Sequence, residues 1–446
     1  VTADGAVGLP QDPVVVLGGG LAGVACAHTL GDAGEPVVLV DRNDYHQFQP
    51  LLYQVATSQL PAEDVARPHR AIFHQHPTVR VLTAEAVAVD AAAHRVTLGD
   101  GTEVTGSQLV LAAGAQPEFF GVPGAAEHAF PLYSVVDAER LRRHLHGLVR
   151  EHAHAPGTQD APEPPAGALD VVVVGGGPTG VETAGAVAEL MAALTRTGRL
   201  AAPARVVLVD RGTALLAPFT DAAHHYAHGH LTGVGVEVRL GTGVAAVHPD
   251  RVELDDGTAI PTRTVVWGGG ESAAPIVLDA GVPTGRGGRV DVAADLGVPG
   301  LPGVYAVGDA ANIPGPDGRT LPQLGSVAQQ SGRAAGANVL RERRGAPTEP
   351  FRYKDKGIMA MIGRNAAVAE VGHRHHTVEG PVAFAAWLGV HAMLLSGAHS
   401  KTDAFLSWAW DYFDRDHSAL VEMTDAPHRI AWEDTTADVP HIDPGT

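Results

Sequence analysis

A chain of 446 residues, 45% apolar and 18% charged, is long enough for two or three domains with buried cores. Its formal net charge of −19 argues against a nucleic-acid partner, which needs a basic face, and removes long-range attraction to anionic lipid. A single cysteine, Cys26, excludes an intrachain disulfide, a CxxC redox pair and a Cys-ligated cluster.

Residues 1–12 lack the basic and apolar regions of a signal peptide, and no run reaches the ~20 apolar residues of a spanning helix. The expectation is a cytoplasmic protein, soluble or peripheral. The first patterned segment is an apolar run, Val14 to Leu17, followed by a glycine turn and a helical stretch, Leu21 to Leu30. A second apolar run, Val37 to Val40, ends at Asp41. Strand, turn, helix and strand make the βαβ unit of a parallel sheet. In its turn Gly18 permits the sharp bend, Gly20 lets a pyrophosphate approach the backbone, and Gly23 lets helix and strand pack closely. The helix N-terminus then faces the phosphates with free N–H groups. Asp41, 18 residues after Gly23, is placed to bind ribose hydroxyls.

Residues 151–168 carry His, Pro, Gly and Ala without periodicity and predict a surface linker. The βαβ pattern then returns, with a strand at Val171 to Val174, a turn carrying Gly175, Gly177 and Gly180, and a helix at Val181 to Leu190. Met191 to Ala204 is an insertion before the next strand, Val206 to Val209, which ends at Asp210. Asp210 favours NADH over NADPH, because a carboxylate accepts from a 2′-hydroxyl and repels a 2′-phosphate; Arg211 beside it could reverse that choice. One glycine loop is weak evidence, but two, each after an apolar run and each closed by an acidic strand end, are strong. A third element, Gly303-Val-Tyr-Ala-Val-Gly-Asp309, delivers an aspartate from a strand end. With Leu111-Ala-Ala-Gly114 before it, Asp309 fits a carboxylate bonding a flavin's ribityl chain.

The last hundred residues predict strands over Phe351 to Val371 and two apolar helices, Pro381 to Ser396 and Thr402 to Phe413, before a polar tail. The histidines cluster at His224, His225, His228 and His230, and at His373, His375 and His376, but nothing closes a metal shell, so no metal is expected.

These pieces resemble the two-dinucleotide-binding-domain flavoproteins of glutathione-reductase-like fold, and within them the type II NADH:quinone oxidoreductases. The resemblance rests on Asp41-Arg-Asn-Asp-Tyr-His-Gln-Phe-Gln-Pro-Leu-Leu-Tyr-Gln-Val-Ala56, Gly175-Gly-Gly-Pro-Thr-Gly-Val-Glu182, Phe351-Arg-Tyr-Lys-Asp-Lys-Gly-Ile-Met-Ala-Met-Ile-Gly-Arg-Asn365 and Trp408-Ala-Trp-Asp-Tyr412. It runs from about residue 13 to residue 425. It implies an α/β chain with two Rossmann-like domains and a C-terminal α+β region. The FAD domain would comprise residues 1–133 and 295–345, the NADH domain 134–294, and a quinone- and membrane-associating region 346–446.

The resemblance also implies non-covalent FAD, a hydride from NADH, and two electrons passed to a quinone, menaquinone or ubiquinone, without proton pumping. FAD would lie against Gly18, Gly20, Gly23, Asp41, Arg42, Ala113, Gly114, Gly308 and Asp309. NADH would lie against Gly175, Gly177, Gly180, Asp210 and Gly268. Glu182 matches the family's glutamate at the nicotinamide–flavin junction, where it orients the ring or relays a proton. For the quinone, Gly325-Ser-Val-Ala-Gln-Gln330 aligns with an Ala-Gln pair and a second Gln; Gln330 fits, Ser326 replaces the first Gln, and Lys356 is a further contact.

Residues 381–413 would lie on the inner face of the cell membrane through Ala383, Phe384, Trp387, Leu388, Val390, Leu394 and Leu395, then Phe405, Leu406, Trp408 and Trp410. Lys401 and Arg415 face Asp403, Asp411, Asp414 and Asp416, so the electrostatic half of such an anchor is weak, and a homodimer interface is the competing use of these helices. Two other readings of the residues stay open. One is a soluble NAD(P)H-dependent flavin reductase for another acceptor. The other is a redox-sensing FAD protein with slow turnover.

Overall fold

The computed structural model describes residues 10–152, 165–200, 204–316, 318–372 and 376–394. In chain order the elements used below are β1 (Val14–Leu17), α1 (Leu21–Asp32), β2 (Val37–Asp41), α2 (Leu52–Ala56), β3 (Val79–Thr83), β4 (Gln108–Leu111), β5 (Ala115–Pro117), β6 (Ala129–Pro131) and α3 (Val135–His152). There follow β7 (Val171–Val174), α4 (Pro178–Arg196), β8 (Val206–Asp210), α5 (Asp221–Gly233), β9 (Val236–Leu240), β10 (Thr264–Trp267), β11 (Glu271–Ala273) and β12 (Val304–Ala306). The chain continues through α6 (Gly325–Arg343), β13 (Ile358–Gly363), β14 (Ala366–Val371), β15 (His376–Glu379) and α7 (Pro381–Leu394).

Two parallel sheets are built to one plan. The first has strand order β12-β4-β1-β2-β3 and the second β6-β10-β7-β8-β9. In the first, β1 sits between β2 and β4, with Val14 opposite Val37 and Gln108; in the second, β7 sits between β8 and β10, with Val171 opposite Val206 and Thr264. The Val-rich strands β1, β2 and β7 are buried along their apolar residues, as parallel strands covered on both faces must be. Each unit also carries a small antiparallel meander, at residues 86–105 and 244–261. Strand order reverses beside β1 and beside β7, and the C-terminal ends of strands at such a switch are where α/β sheets bind ligands.

The chain passes from the first unit through β5 and returns through β11, and these two strands pair antiparallel, Gln116 opposite Ser272. Beyond that ribbon, β6 pairs with β10. The residues at 129–131, expected to end the first nucleotide-binding segment, thus belong to the second sheet. The helix expected at Val181 to Leu190 runs on to Arg196, so the insertion begins later than Met191. Helix α3 occupies the stretch before the expected linker. Of that linker, residues 153–164 lie outside the described residues.

The C-terminal sheet β13-β14-β15 is antiparallel and packs through Ala360, Ile362 and Val368 into the same core as α4, α5 and α2. Helix α7 closes it with Ala383 and Trp387, both wholly buried. The expectation that these two side chains meet a membrane does not hold: both turn inward, because they sit four residues apart on the face that meets the sheet. Among the described side chains of that helix, Val382 and Val390 are the exposed large apolar ones. The second apolar helix, at 402–413, lies outside the described residues, as do Leu395, His373 and His375.

Candidate active site

Both glycine loops follow one set of physical demands. Gly18 and Gly175 adopt left-handed φ values of +104° and +109°. A Cβ on Gly18 would meet Ala112 O at 2.3 Å, and one on Gly175 would meet Gly268 O at 2.4 Å. The turns that end β4 and β10, carrying Ala113 and Gly268, are therefore pressed against the loops. A Cβ on Gly23 would lie 1.8 Å from Gly18 O, and one on Gly180 the same 1.8 Å from Gly175 O. Gly20 and Gly177, the N-caps of α1 and α4, are different, since a Cβ on either meets nothing within 4 Å. No side chain caps either helix, and neither first turn carries an acid. The space over each loop, faced by uncapped N–H groups, suits a pyrophosphate.

The two acidic strand ends buttress these loops. Asp41 accepts from Gly19 N–H at 2.5 Å and Asn43 N–H at 2.7 Å. Asp210 accepts from Gly176 N–H at 2.6 Å and Gly212 N–H at 2.5 Å. Four lone-pair directions per carboxylate leave room for ribose hydroxyls. Arg42 and Arg211 beside them are exposed.

At the end of β12, Gly308 (φ +64°) turns the chain so that a Cβ would strike Ala22 of α1, and its N–H donates to Ser331 of α6 at 3.1 Å. Asp309 follows, and loss of water pushes its carboxyl up to about 6 against the pull of Arg289. Glu271, opening β11, is exposed at the surface, and desolvation followed by the Asp309 charge pushes its carboxyl up to about 7. Burial, then the Asp309 and Glu271 charges, raise the phenol of Tyr133, whose oxygen accepts Ala115 N–H at 2.9 Å and lies 3.1 Å from where a Gly114 Cβ would be. Gly114, Tyr133, Glu271 and Asp309 thus lie near one another, and of these Tyr133 and Glu271 carry no motif a sequence could offer.

Glu182, in the first turns of α4, directs its carboxylate toward the C-terminal sheet. It accepts Met361 N–H at 3.1 Å, with Trp387 of α7 as a second hydrogen-bond partner. Burial pushes it up to about 8 against both donors. Tyr53 of α2 feels the Glu182 charge and donates to Met361 Sδ at 3.1 Å, while Gln54 donates to the Tyr53 oxygen at 3.0 Å.

Two of the residues expected at the quinone, Ser326 and Gln330, are hydrogen-bonded within the protein. Ser326 Oγ and the Tyr353 hydroxyl lie 2.8 Å apart. Gln330 grips the Lys354 backbone with both ends of its amide, donating to Lys354 O at 3.1 Å and accepting Lys354 N–H at 3.0 Å. Lys356 is exposed two residues on. Sequence reasoning also passed over His46 and His69, whose Nδ1 and Nε2 both reach Gly19 O, at 3.0 and 3.1 Å. Among the described residues no group of three or more His, Cys, Asp or Glu is placed to hold a metal ion. Cys26 is buried, its thiol pushed up to about 12.

Comparison with known proteins gives these features relatives. Residues 12–332 match the pyridine nucleotide-disulphide oxidoreductase family. Two type II NADH:quinone oxidoreductases of Mycobacterium tuberculosis are 35% and 36% identical, over 89% and 90% of this chain and 87% of each relative. An internal alternative NAD(P)H-ubiquinone oxidoreductase of Solanum tuberosum is 30% identical over 94% of this chain and 91% of its own. Among solved structures, NDH2 from Plasmodium falciparum in complex with NADH superposes with a TM-score of 0.81 at 16% identity, covering 91% of this chain and 99% of that one. The sulfide:quinone oxidoreductase of Aquifex aeolicus shares the fold at a TM-score of 0.69.

Proposed function

The chain belongs to the type II NADH:quinone oxidoreductases, and from that membership we propose that FAD is its resident group, NADH its donor and a quinone its acceptor. The observation that carries this reading is the doubled cradle. Two loops of like geometry, each opening on a parallel sheet and each backed by a carboxylate, sit in one chain. Bound FAD would supply the two-electron chemistry, taking up a hydride and giving electrons to the acceptor.

The residues of the first unit would hold it. Gly18, Gly20 and Gly23 with the α1 N-terminus would take the pyrophosphate, Asp41 and Arg42 the ribose end, Ala113 and Gly114 the passage between, and Gly308 and Asp309 the ribityl side. Gly175, Gly177, Gly180, Asp210 and Gly268 would hold NADH in the same way. Because Asp210 is already oriented by two N–H donors, it would accept a 2′-hydroxyl and repel a 2′-phosphate.

Reduction of a quinone to quinol by NADH consumes one proton from outside the donor. Glu182 Oε is the group we assign to hold it, since at neutral pH that carboxyl is mainly protonated. On the acceptor side, the Ser326–Tyr353 hydroxyl pair would donate to a quinone carbonyl. Gln330 would position the Lys354–Lys356 segment, keeping one amide hydrogen for the acceptor. No helix among the described residues is long and apolar enough to cross a membrane. A peripheral placement on the cytoplasmic face would use the outer face of α7, with Val382 70% and Val390 40% exposed.

The test is anaerobic. Purified yellow protein is reduced with NADH, a menaquinone or ubiquinone analogue is added, and the flavin spectrum is followed. Bleaching by NADH and recovery on quinone addition is expected. A bleached flavin that no quinone re-oxidises would overturn the acceptor assignment.

A further inference from the structure

A cleft of about 240 Å³ opens beside the second glycine loop, reaching from Gly175 past Asp210 and Arg211 to Val244. One residue lining it, Phe120, does not belong to the second unit's βαβ segment. Phe120 comes three residues after β5, the strand on which the chain leaves the first unit. Two features of this residue run against folding stability. The residue is 61% exposed, and its backbone is left-handed at φ +52°, a region that a bulky side chain rarely enters.

The strain is held in place by a specific set of contacts. Phe120 N–H donates to the Glu118 carboxylate at 2.8 Å, Glu118 N–H donates to Gly270 O at 3.0 Å, and the Trp267 indole N–H donates to Glu118 O at 2.8 Å. The Phe119 ring packs on Trp267 at 5.5 Å between centroids. The Phe120 ring is laid over Gly270 so closely that a Cβ there would lie 2.7 Å from it. Several interactions thus fix one exposed aromatic side chain beside the cleft, next to Gly270, the residue before Glu271.

We propose that Phe120 is the stacking wall for the adenine ring of NADH, offered to the donor site by the crossover segment between the two units. The inference rests on the reading of NADH as donor. An apolar planar side chain lining the same cleft as Val244, with Asp210 at the ribose position, fits a purine. A ring stacked there would cover the exposed surface of Phe120. Because Phe120 sits at the end of the β5–β11 ribbon, donor binding would also clamp the crossover.

The test uses FAD-loaded protein and two donors, NADH and reduced nicotinamide mononucleotide, which lacks the adenosine half. Anaerobic flavin bleaching gives the donor affinity and limiting rate for each. In Phe120→Ala the apparent Kd for NADH is expected to rise about tenfold with the limiting rate kept. The mononucleotide should behave as with wild type, and Phe120→Trp should restore NADH affinity. Unchanged NADH affinity, or equal weakening of both donors, would overturn the proposal. If neither donor bleaches the wild-type flavin, the donor reading itself has failed. Calorimetric titration with ADP-ribose then decides Phe120 separately: a tenfold loss in Phe120→Ala supports the adenine wall, and equal affinities sink it.

Discussion

Gly177 and Gly180 stand three residues apart in one loop and answer to opposite constraints. At Gly180 a side chain would collide with the Gly175 carbonyl, so Gly180→Ala must separate α4 from β7. At Gly177 the backbone is extended (φ −74°, ψ −179°) and the space is open, so any residue fits the protein there. The expected outcome is that Gly180→Ala lowers Tm, while Gly177→Val keeps the wild-type Tm and loses NADH affinity, on the order of tenfold or more. Thermal unfolding followed by NADH titration separates the two, and a Gly177→Val protein with normal NADH affinity would remove the donor from this loop.

Glu182 can be tested by pH at the same scale. Its ordinary value is 4.5 and its folded value about 8. Between those limits the folded state keeps a proton that the unfolded chain has released, so the group costs stability as pH rises across the window. Relative to Glu182→Gln, the wild type should lose about 4 kcal/mol between pH 4.5 and 8. Urea unfolding at a series of pH values measures this difference. Turnover should slow in the Gln variant without loss of FAD. The wild-type rate should fall as pH rises through about 8, and the variant should lack that limb.

Between elements, the two loops differ in what holds their carbonyls. Gly176 O accepts Leu216 N–H at 2.7 Å, whereas Gly19 O is met by two buried imidazoles, His46 from the segment after β2 and His69 beyond it. The second loop is tied by main chain and the first by two imidazoles. His46, lowered to about 4 by burial, stays neutral when folded and would take a proton near 6.5 when unfolded. Its contribution is whole above pH 6.5 and is lost progressively as pH falls toward 4, amounting to about 3 kcal/mol. His69→Leu should therefore speed flavin release, read as a rise in free flavin fluorescence on dilution, and acidification from pH 6.5 to 4 should do so in wild type. Flavin retention indifferent to both changes would show that the imidazoles do not brace the cradle.

That contrast also marks what the sequence could convey. The loops, the strands beginning at Val14 and Val171, and the acidic ends Asp41 and Asp210 are local patterns, so their residues announce them. Helix α3 announces itself too, through Val135, Ala138, Leu141, Leu145 and Val149 on one buried face, a spacing that reading by motif passes over. The partner of β6, the inward turn of Trp387 and the meeting of His46 and His69 at Gly19 depend on long-range packing. Nothing within a few residues of Ala129 says which sheet it will join. Phe120 is legible only after folding, because an exposed Phe is ordinary until its neighbours show a cleft.

At the scale of the molecule, charge and apolar surface pull in different directions. The net charge of −19 opposes approach to an anionic bilayer, and residues 381–394 carry no lysine or arginine to offset it. The attraction available to α7 comes from apolar residues such as Val382 and Val390, which act at contact and are not screened. Repulsion between the acidic chain and anionic lipid reaches only about 8 Å at physiological ionic strength and shrinks further with added salt. Vesicle sedimentation should then give a salt dependence opposite to that of a polybasic anchor. Zwitterionic vesicles should bind the protein about equally at low and high salt, and anionic vesicles should bind it better as salt rises. Val382→Asp should weaken both, since it puts a charge into the contact face without touching the buried side of the helix. Release from anionic vesicles by salt would mean that a basic surface makes the contact and that the apolar face of α7 does not.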